Sequence, residues 1–357
     1  MALFKDMLKD NESLFLDTIA MDYDFQPKLI PYREKEQFHM ASCIKPLFAK
    51  RNGKNLLIYG SPGIGKTVAT KHVLRELEDE TDEIIPLYIN CWQKNTSYKV
   101  ILEICESLNY RFTQNKKTED LFKIVKEILN KKSVVLVFDE IDKAEDIDFL
   151  YTFLEEIYRK TIFLITNYKA WLDNLDIRIK SRLTPEMSEF KSYSLPETRG
   201  ILDQRMQYAF VKGVWDQKAF DTVVQKTFEL SDIRSGLYLM KESGDAAESV
   251  ARKRVLPEDV AVALKKLEEF SIKKSTDLED ETRFILGIAK KNTPSKIGDL
   301  FNLYTQAGGK STYKTFQRKI EKLAKAKFIL TEKIPGGAEG KTTIISFNQI
   351  DKKLSDF

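Results

Sequence analysis

Gly60-Ser61-Pro62-Gly63-Ile64-Gly65-Lys66-Thr67 decides the reading of this 357-residue chain. The octet fits the phosphate-loop pattern G-x-x-x-x-G-K-S/T, and its flanks supply the context that the pattern requires. Upstream, Asn55 to Tyr59 is a short apolar run that reads as a buried strand. Downstream, Lys66 to Glu78 carries Ala69, Val73, Leu74 and Leu77 at the spacing of a helix lying on a sheet. Glycines let successive backbone N–H groups turn inward on an anion, and the N-terminus of the following helix adds its positive end. Lys66 is then placed to reach the β- and γ-phosphates of a nucleotide, and the Thr67 hydroxyl to ligate Mg2+.

A second chemical element lies further along. Val134 to Phe138 is continuously apolar, as a strand covered on both faces must be, and it ends in Asp139-Glu140. Ligands of open parallel sheets collect at the carboxyl ends of the strands. Asp139 is therefore read as the residue that holds Mg2+, directly or through water, and Glu140 as the one that orients and polarises the attacking water. A solvated acidic pair at a strand end is the plainer alternative, and the phosphate loop upstream is what weighs against it. The next apolar run, Thr161 to Thr166, ends at Asn167, a polar residue placed to contact that water or the γ-phosphate.

Around these elements, apolar runs alternate with helical patterns through the first half of the chain. Strands are expected at Asn55–Tyr59, Ile84–Ile89, Ser133–Phe138 and Thr161–Thr166, with helices at Tyr98–Leu108 and Thr118–Leu129. That is an α/β fold with a parallel sheet. From Glu197 to Phe270 only helical patterns occur. After the polar stretch Lys273–Glu281, three short helical patterns (Thr282–Lys290, Ser295–Gln306, Ser311–Ala326) precede two alternating runs, Phe328–Ile334 and Thr342–Phe347. Three helices and a hairpin suggest a winged helix-turn-helix. The expected domains are 1–195, 196–274 and 277–357.

Composition narrows the chemistry. The chain is 42% hydrophobic and 11% aromatic, too apolar for a disordered polymer. Its net charge is only +4, so an argument for nucleic acid must be local. The three cysteines, Cys43, Cys91 and Cys105, read as neither a disulfide framework nor a zinc site, which suits a reducing compartment. With only two histidines, the sequence argues against triad or multi-histidine metal chemistry as the basis for activity. Charged residues interrupt the segment Met1–Leu16, unlike a signal peptide, and no apolar run is long enough for a membrane span. The expected location is cytoplasmic, without a membrane partner.

Asp139-Glu140-Ile141-Asp142, with Asn167 ending the next strand, resembles the AAA+ ATPases, in which those positions are Walker B and sensor 1. Within Leu175 to Leu183, Arg182 is then the first choice for an arginine finger reaching a neighbouring subunit's nucleotide, and Arg178 the second. Such a finger contributes about 10³ to 10⁵ in rate in other NTPases. Ser231-Asp232-Ile233-Arg234 is similar to the Gly-Asp-x-Arg sensor 2 of the origin recognition complex and cell-division-cycle initiator family, with Ser in place of Gly. Pro31 to Glu36 resembles that family's Pro-x-Arg-Glu segment near the adenine pocket, which gives Arg33 a role at the nucleotide. Tyr88 to Cys91 and Gly244 to Glu248 resemble two further family segments. The resemblance spans most of the chain and implies an AAA+ base with a parallel sheet, an all-helical lid, and a C-terminal winged helix.

In the last region, Lys310 to Lys341 holds nine Lys or Arg against three Glu, a local balance of +6. A recognition helix beginning near Ser311 presents Thr312, Tyr313, Thr315 and Gln317 toward bases or phosphates. Lys310, Lys314, Arg318 and Lys319 are available for phosphates, and Lys341 sits beside the glycine-rich turn at the wing tip. A solvated basic face or a protein-docking module is the alternative. By its resemblance, the chain is expected to be an archaeal-type replication initiator. Its expected partners are ATP or ADP with Mg2+, double-stranded origin DNA, an MCM-type replicative helicase and other initiator copies. A clamp- or helicase-loader subunit and a signalling ATPase are the rival readings.

Overall fold

The structure, a computed structural model, describes residues 13–276, 280–309, 311–325, 328–337 and 340–347. The chain forms two compact units. One comprises Phe15–Lys212 together with Ser231–Tyr238; the other takes Gly213–Leu230 and the described residues from Leu239 onward, with Ser13 and Leu14.

The first unit runs α1 (Glu34–Ile44), β1 (Leu56–Tyr59), α2 (Lys66–Glu80), β2 (Ile84–Asn90), α3 (Ser97–Ser107), α4 (Thr118–Leu129), β3 (Ser133–Asp139), α5 (Asp148–Glu156), β4 (Lys160–Thr166), α6 (Ile177–Leu183), β5 (Glu186–Glu189) and α7 (Leu195–Ala209). The strands form one sheet in the order β2-β3-β4-β1-β5, every neighbour parallel. Parallel strands need crossover helices, which here cover both faces and account for the continuous apolar runs. On one face, Leu136 and Phe138 of β3 pack with Val100, Ile104, Leu121, Val125 and Phe153 from α3, α4 and α5. On the other, Val135, Val137 and Ile165 meet Met40 of α1 and Ala69, Val73 and Leu77 of α2.

Local sequence explains the helix starts. Thr96 caps α3 by accepting the Lys99 N–H, Asp176 caps α6 through the Arg178 N–H, and Ser194 with Glu197 forms a capping box on α7. The four expected strands and the helices of α2, α3 and α4 all form within a residue or two of the expected bounds. Three elements were not anticipated: helix α1, strand β5 and helix α5. Strand β5 is the four-residue, largely polar Glu-Met-Ser-Glu, and among the described residues its ladder is to β1, so its pairing is non-local. Helix α5 follows directly on the acidic loop after β3.

In the second unit, α8 (Gln217–Leu230), the greater part of α9 (Ile233–Ser249) and α10 (Pro257–Thr276) supply the expected helical region. Helix α10 runs into the stretch read as a polar connector, which is therefore helical as far as Thr276. Beyond it lie α11 (Asp280–Lys291), β6 (Ser295–Lys296), α12 (Ile297–Gln306), α13 (Tyr313–Lys325), β7 (Ile329–Gly337) and β8 (Gly340–Phe347). This is the element order of a winged helix-turn-helix. Its sheet is antiparallel in the order β6-β8-β7. Ser295 and Lys296, expected to open a helix, instead pair with Ile345 and Ile344. The core gathers Ile285, Leu300, Tyr304, Phe316, Ile320, Leu323 and Ile345. Among the described residues no helix is long and apolar enough to cross a membrane.

Candidate active site

Strand β1 ends at Tyr59, and the loop Gly60–Gly65 turns back to start α2 at Lys66. Gly60, Gly63 and Gly65 all take positive φ. At Gly63 (φ +74) a Cβ atom would lie 1.9 Å from Asp232 Oδ1, so the loop needs glycine there both for its backbone and for the side chain facing it. Ile64 is buried beneath the loop, while Ser61 and Pro62 lie nearer its surface.

Lys66 is 7% exposed. Its Nζ donates to Gly60 O at 2.7 Å, to Ser61 O at 2.8 Å and to Asn167 Oδ1 at 3.0 Å. Burial lowers the pKa of the Lys66 ammonium to about 8, against the pull of Asp139, while Arg234 pushes in the same direction as burial. A poorly solvated cation at the N-terminus of α2 favours a polyanion. Asn167 thus stands beside Lys66.

Asp139, at the end of β3, is 2% exposed and accepts three hydrogen bonds. Thr67 Oγ1 donates to its Oδ2 at 2.6 Å, the Tyr88 hydroxyl donates to the same oxygen at 2.7 Å, and the Glu140 N–H donates to Oδ1 at 2.8 Å. The Tyr88 phenol is pushed far up from its ordinary value by burial and by Asp139, so it stays a donor. Thr67 and Asp139 together present the hard oxygens that Mg2+ takes, and the ion, when bound, neutralises charge on the nucleotide's phosphates. Glu140 adopts a left-handed conformation, φ 51 and ψ 43, which ends the strand and turns its carboxylate out of the ladder.

Arg33, at the N-terminus of α1, is 4% exposed and spends its guanidinium on the protein. It donates to Ile64 O (3.0 Å), Lys191 O (2.7 Å), Tyr193 Oη (3.0 Å) and Glu36 Oε1 (3.0 Å). It also lies 4.0 Å from the Tyr193 ring centroid and 4.9 Å from that of Phe190. These bonds make it a brace that ties the phosphate loop to the segment after β5.

Residues 49–169 match the AAA domain family, and residues 199–265 match the Cdc6 AAA+ ATPase-type lid domain family. The chain is 27% identical to ORC1-type DNA replication protein 2 of Methanothermobacter thermautotrophicus, over 96% of this chain and 94% of that one. It is 28% identical to ORC1-type DNA replication protein 2 of Archaeoglobus fulgidus, over 91% and 89%. The structure matches that of the Aeropyrum pernix ORC1 protein in complex with DNA with a TM-score of 0.69 at 25% identity, covering 97% of this chain and 98% of that one. Over most of its length the chain is thus similar to archaeal ORC1-type replication proteins, and it carries an AAA domain followed by a Cdc6-type lid domain, the make-up of an AAA+ ATPase.

In this AAA+ ATPase the segment Ser231–Arg234, expected to be sensor 2 by resemblance, lies against the phosphate loop. The Ile233 N–H donates to Gly63 O at 3.2 Å, and Asp232 faces Gly63. Arg234 donates from its backbone N–H and Nε to Asp232 Oδ1 (2.9 and 3.2 Å) and from Nη2 to Oδ2 (3.3 Å). Ser231, for which the resemblance implies Gly, takes φ +52 and keeps the left-handed turn that glycine would make.

The two candidate fingers sit apart from this constellation in their bonding. Arg178 forms a pair with Asp176, Nε to Oδ1 at 3.1 Å and Nη2 to Oδ2 at 3.0 Å. Arg182 pairs with Glu155 and donates to Arg178 O at 3.2 Å. Segment Ile177–Leu183 is helical, and both guanidinium groups lie near the Tyr151 ring, at 5.9 and 5.1 Å, so they do share a face.

Tyr88 and Tyr193 were not singled out as site residues in the sequence. Tyr88 could have been found from register: Asn90 of β2 pairs with Asp139, which puts the end of β2 beside the acidic strand end. Tyr193 follows the unanticipated β5 and left no comparable signal.

Proposed function

We infer that this ATPase is an ATP-dependent DNA replication initiator that binds double-stranded origin DNA and recruits or loads an MCM-type replicative helicase. In this reading residues 1–195 bind nucleotide, 196–274 form the lid and 277–357 bind DNA. Nucleotide serves chiefly as a switch of conformation and of assembly with other initiator copies, with slow hydrolysis, and the protein works in the cytoplasm at the nucleoid. Lys66, the loop Gly60–Gly65 and Arg234 bind ATP or ADP. Thr67 and Asp139 hold Mg2+, Glu140 and Asn167 position water, and Arg182 or Arg178 acts on a neighbour's nucleotide.

The observation that carries the DNA reading is the surface of α13. Phe316, Ile320 and Leu323 are buried in the core, while Thr312, Tyr313, Lys314 and Arg318 are exposed on the other side. Thr312 caps the helix, accepting the Thr315 N–H at 3.4 Å, and its hydroxyl lies 3.1 Å from that of Thr315. Ser311, Thr315, Gln317 and Lys319 are half-buried at the edges of this face. Lys310 lies outside the described residues, and Lys341 falls on β8 with its side chain likewise outside them.

Exposed Lys314 and Arg318 are four apart on one helix face, the spacing of successive phosphate contacts along a groove. Replacing both, Lys314→Ala with Arg318→Ala, is expected to weaken duplex binding across all sequences. The slope of log K against log salt should fall by about 2, close to 0.9 per phosphate contact. Unchanged affinity and slope in the double variant, measured by anisotropy, would remove α13 from the DNA interface.

A further inference from the structure

Away from the nucleotide site, His39, Cys43 and Glu186 bring a nitrogen, a sulfur and a carboxylate oxygen within 4.8 Å of one another. His39 and Cys43 are four residues apart on α1 and share a face; Glu186 opens the edge strand β5. His39 Nε2 lies 2.7 Å from Glu186 Oε2, and Cys43 Sγ donates to that same oxygen across 3.8 Å. The other carboxylate oxygen, Oε1, accepts from Lys54 Nζ at 2.7 Å.

The framework beneath is fixed. Lys54 N–H donates to Cys43 O at 3.0 Å, and Thr161 Oγ1 reaches the same carbonyl at 3.4 Å. Gly53 packs so closely that a Cβ there would lie 2.6 Å from Cys43 O and nearer still to Thr161 Oγ1. Glu186 is held in register opposite Leu56 of β1. Cys43 is fully buried, whereas the His39 and Glu186 side chains are 32% and 39% exposed, which leaves a path from solvent.

We propose that His39, Cys43 and Glu186 form a binding site for a divalent transition-metal ion, with zinc the best match and water completing four-coordination. One imidazole, one thiolate and one carboxylate make a ligand set that zinc accepts and that magnesium, which takes oxygen, does not. Neighbouring ligands around a tetrahedral zinc stand about 3.3 to 3.5 Å apart, given bonds of about 2.0 to 2.3 Å. The separations to Glu186 Oε2, 2.7 and 3.8 Å, bracket that range and all three ligand atoms lie within 4.8 Å of one another, so side-chain rotations bring the set to tetrahedral spacing.

On binding, the Cys43 S–H bond breaks, a metal–sulfur bond forms, and the thiol proton passes to solvent. The imidazole offers its Nε2 lone pair while carrying its proton on Nδ1, and Glu186 Oε2 exchanges its hydrogen-bond donors for the ion. Lys54 keeps Oε1 and so orients the carboxylate from outside the ligand set. A reading based on cysteine number alone misses this site, because its third ligand lies 143 residues from Cys43.

The test uses the full chain, stripped with a chelator and titrated with Co2+ in the absence of nucleotide. One equivalent should give a thiolate-to-cobalt charge-transfer band with intense tetrahedral d–d absorption, both displaced by Zn2+. Cobalt at Thr67 and Asp139 has only oxygen ligands and gives no such band, so the two sites are told apart. Cys43→Ser should abolish the band, and His39→Gln or Glu186→Gln should weaken Co2+ binding at least tenfold. These last two, at partly exposed positions, carry the test should the buried Cys43 variant not fold. No thiolate band in the wild-type chain, or a band of wild-type affinity in both partly exposed variants, would overturn the proposal.

Discussion

Lys66→Ala is expected to weaken ATP binding by roughly 2 to 5 kcal/mol, or about 30- to 5,000-fold in Kd, and to remove turnover with it. The side chain is buried at the mouth of the phosphate loop and already gathers Gly60 O, Ser61 O and Asn167 Oδ1, so its ammonium is aimed where the β- and γ-phosphates belong. The fold should survive. Burial opposes the charged form of Lys66, holding its pKa near 8, so the ammonium sits in its pocket at a disadvantage that removal relieves. Isothermal titration of ATP, with thermal unfolding of the same sample, separates loss of binding from loss of structure. Wild-type ATP affinity in a folded Lys66→Ala protein would contradict the assignment of the loop.

Glu140→Gln should do the opposite to the two steps, keeping ATP affinity within about twofold while hydrolysis falls by about 10² to 10⁴. Affinity is retained because Thr67, Tyr88 and the residue-140 N–H still hold Asp139, and none of those bonds uses the Glu140 carboxylate. Gln keeps the size and the left-handed backbone of the position but cannot accept a proton from water. Single-turnover hydrolysis with pre-bound ATP reads the chemical step directly. Equal turnover in the variant would take Glu140 out of the mechanism.

Much of this was legible because the chemistry is local in sequence. The phosphate loop is eight consecutive residues between a strand and a helix, and Asp139-Glu140 ends a run so apolar that only a strand covered on both faces accommodates it. Lys66, Thr67, Asp139 and Asn167 then meet as expected, since neighbouring parallel strands carry their ends to one edge.

What escaped the sequence depends on distant partners. Strand β5 is short and polar, and it exists because β1 offers it an edge. Ser295 and Lys296 are drawn out of a helical pattern by β8, about fifty residues further on. Arg33 could be linked to the nucleotide by resemblance, but its role as a brace required knowing where Ile64, Lys191 and Tyr193 lie. The substitution of Ser231 for glycine left a turn in question that the backbone answers with φ +52.

We propose that nucleotide state, through its switch of conformation and assembly, sets the affinity for origin duplex DNA. The most direct test is an anisotropy titration of the full chain against origin-derived and scrambled duplexes, with ATP and with ADP, across a salt series. Tighter binding to the origin duplex, a difference between the two nucleotides and a steep salt dependence from released counterions are expected. Equal, weak binding to both duplexes in both nucleotide states would contradict the proposal.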